Sequence, residues 1–174
     1  MSKIKLAIDG LLSRLDREQS LLIQREEGYV ERVEVVFNSP ATEKEIKKLP
    51  FNLPADYKEF LLMHNGGRLF HHKKYGEGIE LFTVKEILKH RAYYGEDFPE
   101  NWFPIASAND GCYLLITNEM VDNGYLFWFD GISFKGDMYI GMNFEDWFEK
   151  IIIAQGSIFW DWDVRKPPSM KLLN

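Results

Sequence analysis

The sequence has 174 residues, of which 45% are hydrophobic and 15% aromatic, so it is large and apolar enough to form one folded domain. Its longest apolar runs, such as Ile151–Ala154, are far too short to cross a bilayer, and Met1–Gly10 lacks the continuous apolar stretch of a signal peptide. A single cysteine, Cys112, rules out an internal disulfide and suits a reducing compartment. We therefore expect a cytoplasmic protein that does not contact membranes.

The formal net charge of −6 conceals an asymmetry along the chain. Residues 1–50 hold nine basic and nine acidic residues, whereas residues 92–163 hold thirteen acidic residues and only two lysines. A field of one sign attracts the opposite sign and repels phosphate groups, so the second half argues against nucleic-acid binding and for a basic partner. General solubility explains an acidic surface equally well, and charge alone does not separate the two interpretations.

The chain begins with apolar residues at helical rather than alternating spacing, which predicts one amphipathic helix over residues 3–27, ended by Gly28. Within it, Asp9-Gly10 is either a weak point or the start of a separate helix. This helix could dock on its own domain or present its apolar stripe to another subunit. We favour docking, because a helix gains most of its stability from packing. The next segment, Tyr29–Asn38, alternates apolar and polar residues as a half-buried strand does.

The stretch LPADYKEFLLMHNGG, residues 53–67, predicts a short and sharply bounded helix. Pro54 suits the first helical position, and Asp56 places an anion at the positive end of the helix dipole. Asn65-Gly66-Gly67 should stop the helix, because glycine adopts the left-handed conformation after a helix without steric cost. The face that we expect to be buried has three residues at helical spacing: Tyr57, Phe60 and Leu61.

Further elements surround this helix. Thr42 and Glu45 have a capping-box pattern that opens a brief helix to about Leu49, Thr83 can cap a helix over Val84–Tyr94, and Asn143 caps a last helix that runs to about Gln155. Short runs typical of strands alternate with turn signals: Arg68–Phe70, Ile79–Phe82, Phe103–Ala106, Tyr113–Thr117, Tyr125–Asp130 and Lys135–Ile140. The sequence therefore predicts an α+β fold, a single domain in which helices pack on one mixed or mostly antiparallel sheet of about six strands.

The order of these motifs resembles a known family. The helix and turn at Leu53–Gly67 resemble the central signature of the SUKH superfamily, also called the Smi/Knr type, which covers bacterial toxin-immunity proteins and fungal regulators of cell-wall synthesis. Other segments resemble the remaining motifs of the family: Pro40–Ile46, Phe103–Ala106, Tyr125–Asp130 and Asn143–Phe148. On this basis we divide the single structural domain into a helix-and-strand extension (1–38), a SUKH-like domain (39–163) and a mobile basic tail (164–174).

The sequence offers little to a catalytic or metal-binding hypothesis. Its four histidines, of which His71 and His72 are adjacent, match no zinc or iron spacing, and we interpret His64 as a half-buried residue beside the helix end. Cys112 lies in an acidic segment that would disfavour a thiolate, and no nucleophile elbow, P-loop or dinucleotide motif occurs. We expect no enzyme activity, no metal and no cofactor.

A protein-binding role directs attention to acids in or beside loops and to the aromatic residues after the last helix. Our first choice for partner contacts is the acidic loop that carries Glu96, Asp97 and Glu100. The weaker choices are Glu77, Glu80 and Glu119, with Trp160 and Trp162 as apolar anchors. The alternative for both tryptophans, which we favour, is that their rings fold back and close the core.

Three functions remain open at this point. The resemblance implies a non-catalytic immunity protein that neutralises a cognate toxin, which is often a nuclease and therefore basic. The second possibility is a regulatory or scaffold module of the cell-wall-synthesis type. An enzyme is the third, and no motif supports it. A gene for a toxin-like protein beside this one would favour the first over the second.

Overall fold

The computed structural model describes residues 2–25, 28–95, 100–108, 111–121, 124–130 and 139–161, without the side chains of residues 118–121 and 161. In this part of the chain there are five α-helices: α1 (Lys3–Leu12), α2 (Glu43–Ile46), α3 (Ala55–Met63), α4 (Val84–Tyr94) and α5 (Phe144–Ile153). A short 3-10 helix follows at Phe159–Asp161. The strands are β1 (Ser20–Gln24), β2 (Val30–Phe37), β3 (Gly67–His71), β4 (Ile79–Leu81), β5 (Trp102–Ser107), β6 (Tyr113–Val121) and β7 (Gly124–Phe129).

All seven strands form one antiparallel sheet whose spatial order, β1-β2-β3-β4-β5-β6-β7, is the order of the sequence. The predicted α+β fold is confirmed, and the sheet has one strand more than the six expected. Most of the predicted strand over Lys135–Ile140 lies outside the described residues. Its last two residues are described, and Tyr139 forms an isolated bridge with Phe127. The predicted tail, residues 164–174, lies outside them as well.

The single helix predicted over residues 3–27 is wrong. Helix α1 ends at Leu12, and residues 20–24 form β1, with Gly28 in the hairpin to β2. The side chain of Asp16 is the physical reason, because its carboxylate accepts hydrogen bonds from the backbone N–H groups of Glu18 and Ser20. Such local side-chain bonds offer the backbone an alternative to the helix, and here they fold it into a turn.

Helix α1 docks on its own domain, as we favoured. Its residues Ile4, Ile8 and Leu11 are buried, and it packs against α5. The ammonium group of Lys3 lies 3.0 Å from a carboxylate oxygen of Asp146 in the first turn of α5. The apolar stripe of α1 is therefore covered within the chain.

Helix α3 lies at the centre of the core, as the sequence predicts. Tyr57, Phe60 and Leu61 are buried, and the Phe60 ring lies 5.1 Å from that of Phe144 and 5.5 Å from that of Phe148, between ring centroids. Aromatic pairs at these separations add to the gain from burial alone. Helix α3 is thereby fixed against α5.

The Asn65-Gly66-Gly67 turn acts differently from the predicted glycine cap. Helix α3 ends at Met63, and His64 is its C-cap in an extended conformation. The backbone N–H of Gly66 (φ 78°) donates to the carbonyl of His64 and not to a carbonyl within the helix. A side chain at Gly66 would collide with the backbone of Leu81, so the glycine is needed for the close approach of this turn to β4. The expected positive φ is present, but glycine is required at this position by tertiary packing rather than by helix capping.

Both edges of the sheet are occupied. At the β1 edge, Ser20 exchanges hydrogen bonds with Asp16, and the side-chain oxygen of Gln155 accepts the backbone N–H of Gln24 at 3.1 Å. At the other edge, the backbone N–H of Tyr125 in β7 donates to the carbonyl of Met142. Covered edges of this kind discourage pairing with strands of other molecules.

None of the helices in the described ranges is both long and apolar enough to cross a membrane.

Candidate functional site

The predicted partner-binding acids lie on different parts of the fold. Glu77 is exposed in the connection from β3 to β4, Glu80 is exposed on β4, and Glu100 is exposed just before β5. Three other predictions cannot be located by their side chains, because Glu96, Asp97 and Trp162 lie outside the described residues. Glu119 belongs to β6, but its side chain is not described.

The register of the sheet separates these acids. Glu80 pairs with Ser107 at the end of β5, whereas Glu100 precedes its first residue, Trp102. The length of β5, on the order of 17 Å at the rise of an extended strand, therefore separates Glu100 from the Glu80–Ser107 pair. Glu77 precedes β4, which runs antiparallel to β5, so it lies on the other side of that pair from Glu100. Glu77 and Glu100 are therefore at opposite ends of this strand pair, and a single small partner contact would not cover both.

The described strands of the acidic segment lie together at one end of the sheet. Because the strands follow one another in sequence order, residues 92–163, with thirteen acidic residues and two lysines, contribute β5, β6 and β7 at one end of the sheet. Residues 1–50, with equal numbers of acids and bases, contribute β1 and β2 at the other end. We call the end formed by β5, β6 and β7 the acidic end. Of the thirteen acids in residues 92–163, the structure describes five with their side chains: Glu100, Asp130, Glu145, Asp146 and Glu149.

Helix α5 is the part of the acidic segment that reaches back to the first half. Its first-turn residues Glu145 and Asp146 face Lys3 of α1, which lies 3.9 Å from the first and 3.0 Å from the second. The hydrogen bond to Asp146 and the charges of both carboxylates raise the pKa of Lys3. These two acids are partly neutralised within the chain, so they are weaker candidates for partner contacts than the exposed Glu100 and Glu149.

Trp160 is half-buried rather than fully exposed. Its ring lies 4.9 Å from that of Trp128 on β7 and 6.4 Å from that of Trp147 on α5, measured between centroids. The residue belongs to the 3-10 helix after α5, which returns the chain onto the sheet. This placement agrees with the closing of the core that we favoured for this ring.

A partly buried network of hydrogen bonds, which the sequence did not predict, joins β7 and the start of α5 to α3. The carboxylate of Asp56 accepts hydrogen bonds from the Tyr125 hydroxyl of β7 and from the backbone N–H of Glu145. The same hydroxyl accepts the backbone N–H of Phe144 at 3.0 Å. Burial, followed by the hydrogen bond to Asp56, raises the pKa of Tyr125. Asp56 thus caps the start of α5 across the fold, in addition to its place in the first turn of α3.

The histidines have structural contacts. His64 is half-buried at the end of α3, where its ring stacks on Phe37 with centroids 4.7 Å apart, as the prediction for this residue requires. The Nδ1 atom of His72 accepts the backbone N–H groups of Lys74 and Tyr75, each at 3.2 Å. A search of the described residues finds no group of three His, Cys, Asp or Glu side chains that could hold a metal ion. The absence of enzyme activity stays a prediction.

Comparison with known proteins identifies the family. The sequence profile described as "SMI1 / KNR4 family (SUKH-1)" matches residues 40–150, which is more than half of the chain. The chain belongs to the SUKH-1 family. In this SUKH-1 domain the matched segment begins just before α2 and ends within α5, so α1, β1 and β2 precede it.

Two relatives of this SUKH-1 protein come from Bacillus subtilis (strain 168). "Uncharacterized protein YobM" is 32% identical over 170 residues, covering 89% of this chain and 89% of its own length. "Uncharacterized protein YnaB" is 34% identical over 131 residues, covering 72% of this chain and 85% of its own length. The similarity to YobM covers more of this chain than the family profile does, so it includes residues outside the profile.

Proposed function

We propose that this SUKH-1 protein is a non-catalytic, cytoplasmic immunity protein that binds a cognate toxin with a basic, nuclease-type surface. The observation that supports the proposal is an excess of eleven acidic residues between residues 92 and 163, the segment that supplies β5, β6 and β7 at one end of the sheet. An enzyme that cleaves nucleic acid must attract phosphate groups, and its active-site surface is therefore basic. An acidic surface can cover such a site and compete with its substrate.

The acidic end also favours rapid capture. Complementary fields steer two proteins into the correct orientation and raise the association rate constant, whereas exposed charges at the rim add less to the final affinity. Rapid capture suits an inhibitor, because a free toxin acts until it is bound. The acidic loop before β5 is our first choice for the contact, and it carries Glu96, Asp97 and the exposed Glu100.

The test is the association kinetics of this protein with the product of the neighbouring gene, at two salt concentrations. Changing Glu96, Asp97 and Glu100 together to Lys should slow association by about tenfold or more, since steering contributes factors of this size. Raising the salt concentration should slow the wild type in the same direction, because salt screens exposed charges.

A matched control changes Asp9, Glu18 and Glu59 to Lys, which alters the net charge equally but acts in the first half of the chain. We expect this control to bind and to protect cells nearly as the wild type does. If both variants slow association equally, or if the rate is independent of salt, the acidic end does not guide the partner.

A further inference from the structure

Two open cavities flank helix α2, at a distance in the sequence from the acidic segment. The first, of about 350 Å³, lies between α2 and the start of α4, with Lys48 and Lys85 among its lining residues. The second, of about 380 Å³, lies between α2 and the chain that leads into α3, with Lys47 and Lys58 among its lining residues. Helix α2 therefore separates the two cavities, and lysines line both of them.

The lysines of this region are in excess over available carboxylates. Five are exposed and form no ion pair within 4.0 Å in the described part of the chain: Lys44, Lys47, Lys48, Lys85 and Lys89. The nearby acids have other partners. Glu45 and Glu86 accept hydrogen bonds from threonines in the capping boxes of α2 and α4, and Glu43 pairs with Lys58 at 3.1 Å.

The start of α4 is already capped. The side-chain oxygen of Asn65 accepts the backbone N–H of Val84 at 2.9 Å, and Thr83 accepts that of Glu86 at 3.1 Å. An anionic ligand in the first cavity would therefore pair with the flexible ammonium groups of Lys48 and Lys85 rather than with free backbone donors at the start of α4. This favours acidic side chains with some freedom of position over a phosphate held by fixed backbone donors.

Both cavities combine apolar and polar lining residues, and one carboxylate lines each of them, Glu45 in the first and Glu43 in the second. Val84 and Leu88 line the first cavity, and Ile46, Leu49 and Phe51 line the second. The Phe51 ring is stacked on Phe103 with centroids 3.9 Å apart, so one of its faces is covered. A nucleic acid would need an aromatic face for its bases or a continuous basic track, whereas separate cavities with apolar lining residues suit the side chains of a peptide.

We propose that this lysine-rimmed surface, formed by the two cavities and the unpaired lysines that line them, Lys47, Lys48 and Lys85, binds an acidic peptide segment of a protein partner. Apolar side chains of that segment fill the cavities on either side of α2, and its carboxylates pair with the lysines at the rims. The inference goes beyond the proposed function, because it assigns a second binding surface of opposite charge to the acidic end. One partner with both basic and acidic regions could use the two surfaces together.

The test uses a synthetic peptide of about twelve residues in which Leu and Phe are interspersed with Asp and Glu, added to the full-length protein. Backbone amide signals in NMR spectra should shift around α2 and the start of α4, and fluorescence anisotropy should give saturable binding. Changing Lys48 and Lys85 together to Glu should weaken binding by about tenfold or more, since it replaces attraction by repulsion at one rim.

The control changes Lys74 and Lys150 to Glu, which alters the net charge equally at sites away from both cavities. It should bind the peptide as the wild type does, and circular dichroism should show both variants folded. A peptide with Ser in place of Leu and Phe should bind poorly. The proposal is wrong if that peptide binds equally well, if a single-stranded DNA oligonucleotide binds this surface in preference, or if a second copy of the protein occupies it.

Discussion

Phe60 is the residue on which the core is centred. It is fully buried, and its ring packs against the aromatic rings of α5. Phe60→Ala should lower the free energy of unfolding by about 3–5 kcal/mol, since it loses apolar burial and leaves a cavity. Leu62→Ala, on the partly exposed side of the same helix, should cost less than about 1 kcal/mol. Urea denaturation monitored by tryptophan fluorescence measures both, and equal losses would contradict the central position of Phe60.

Asp16 should make stability depend on acidic pH. Hydrogen bonds from the Ser20 hydroxyl and backbone, opposed by desolvation and supported by hydrogen bonds from the Glu18 backbone and the Arg32 side chain, lower the pKa of its carboxyl group to about 2. A lowered pKa in the folded state contributes stability that is present above the unfolded value of about 3.9 and is lost as the pH falls toward 2. NMR titration of the carboxyl carbon should show the low pKa.

Replacing this carboxylate tests its share of the acid sensitivity. Asp16→Asn should be less stable than the wild type at pH 7, and the difference should shrink between about pH 4 and pH 2. Asp9→Asn, which removes an exposed carboxylate on α1, serves as the control. A constant difference between Asp16→Asn and the wild type across this range would show that the carboxylate charge is not the cause.

At the scale of single residues, the sequence predicted burial better than it predicted polar partners. Tyr57, Phe60 and Leu61 were recognisable because burial on a helix follows a short repeat. The bonds of Asp56 to Tyr125 and to Glu145 join residues 69 and 89 positions apart, and no local pattern records such a pairing.

At the scale of elements, Gln155 at the end of α5 has a strained backbone and makes a side-chain contact with β1. The N–H of Gly156 bonds to the carbonyl of Ile151, and that of Gln155 to Ile152, as in a Schellman motif. Gln155 has a φ of 54° at the position where glycine is usual, and its side chain accepts the Gln24 N–H of β1. We infer that glutamine is present here because it closes the edge of the sheet.

Gln155→Gly tests that closure. The glycine relieves the backbone strain and keeps the helix end, but the edge of β1 loses its acceptor. Hydrogen exchange of the Gln24 amide should become faster while the free energy of unfolding changes by less than about 1 kcal/mol. Gln24→Ala leaves both the backbone donor and the Gln155 side chain in place, and its amide should stay protected. Equal protection in Gln155→Gly would mean that the side chain does not close the edge.

Helix starts were predictable and the N-terminal segment was not. The capping boxes of α2 and α4 are local signals, and both occur where Thr42 and Thr83 predict them. In β1, buried Leu21 and Ile23 flank the exposed Leu22, a pattern too short to outweigh the helical spacing before it. The turn made by Asp16 ends the helical segment before β1. It depends on side-chain hydrogen bonds that the spacing of apolar residues does not reveal.

At the scale of the whole molecule, the sequence predicted the fold class, because it follows from runs of residues. It did not predict how the chosen acids are arranged in space. Glu77 and Glu100 are separated by the register of β4 and β5, which is fixed only when the sheet is assembled. The lysine-rimmed surface was missed for the same reason, since α2 and α4 are far apart in the sequence.

The sequential order of the strands also bears on how the protein folds during synthesis. Each strand can pair with the one before it as soon as it leaves the ribosome, which keeps most sheet contacts local and favours fast folding. Helix α1 differs, because it docks on α5, and Lys3 and Asp146 are 143 positions apart. Its apolar face stays uncovered until α5 has been made, so its docking should be a late event in folding.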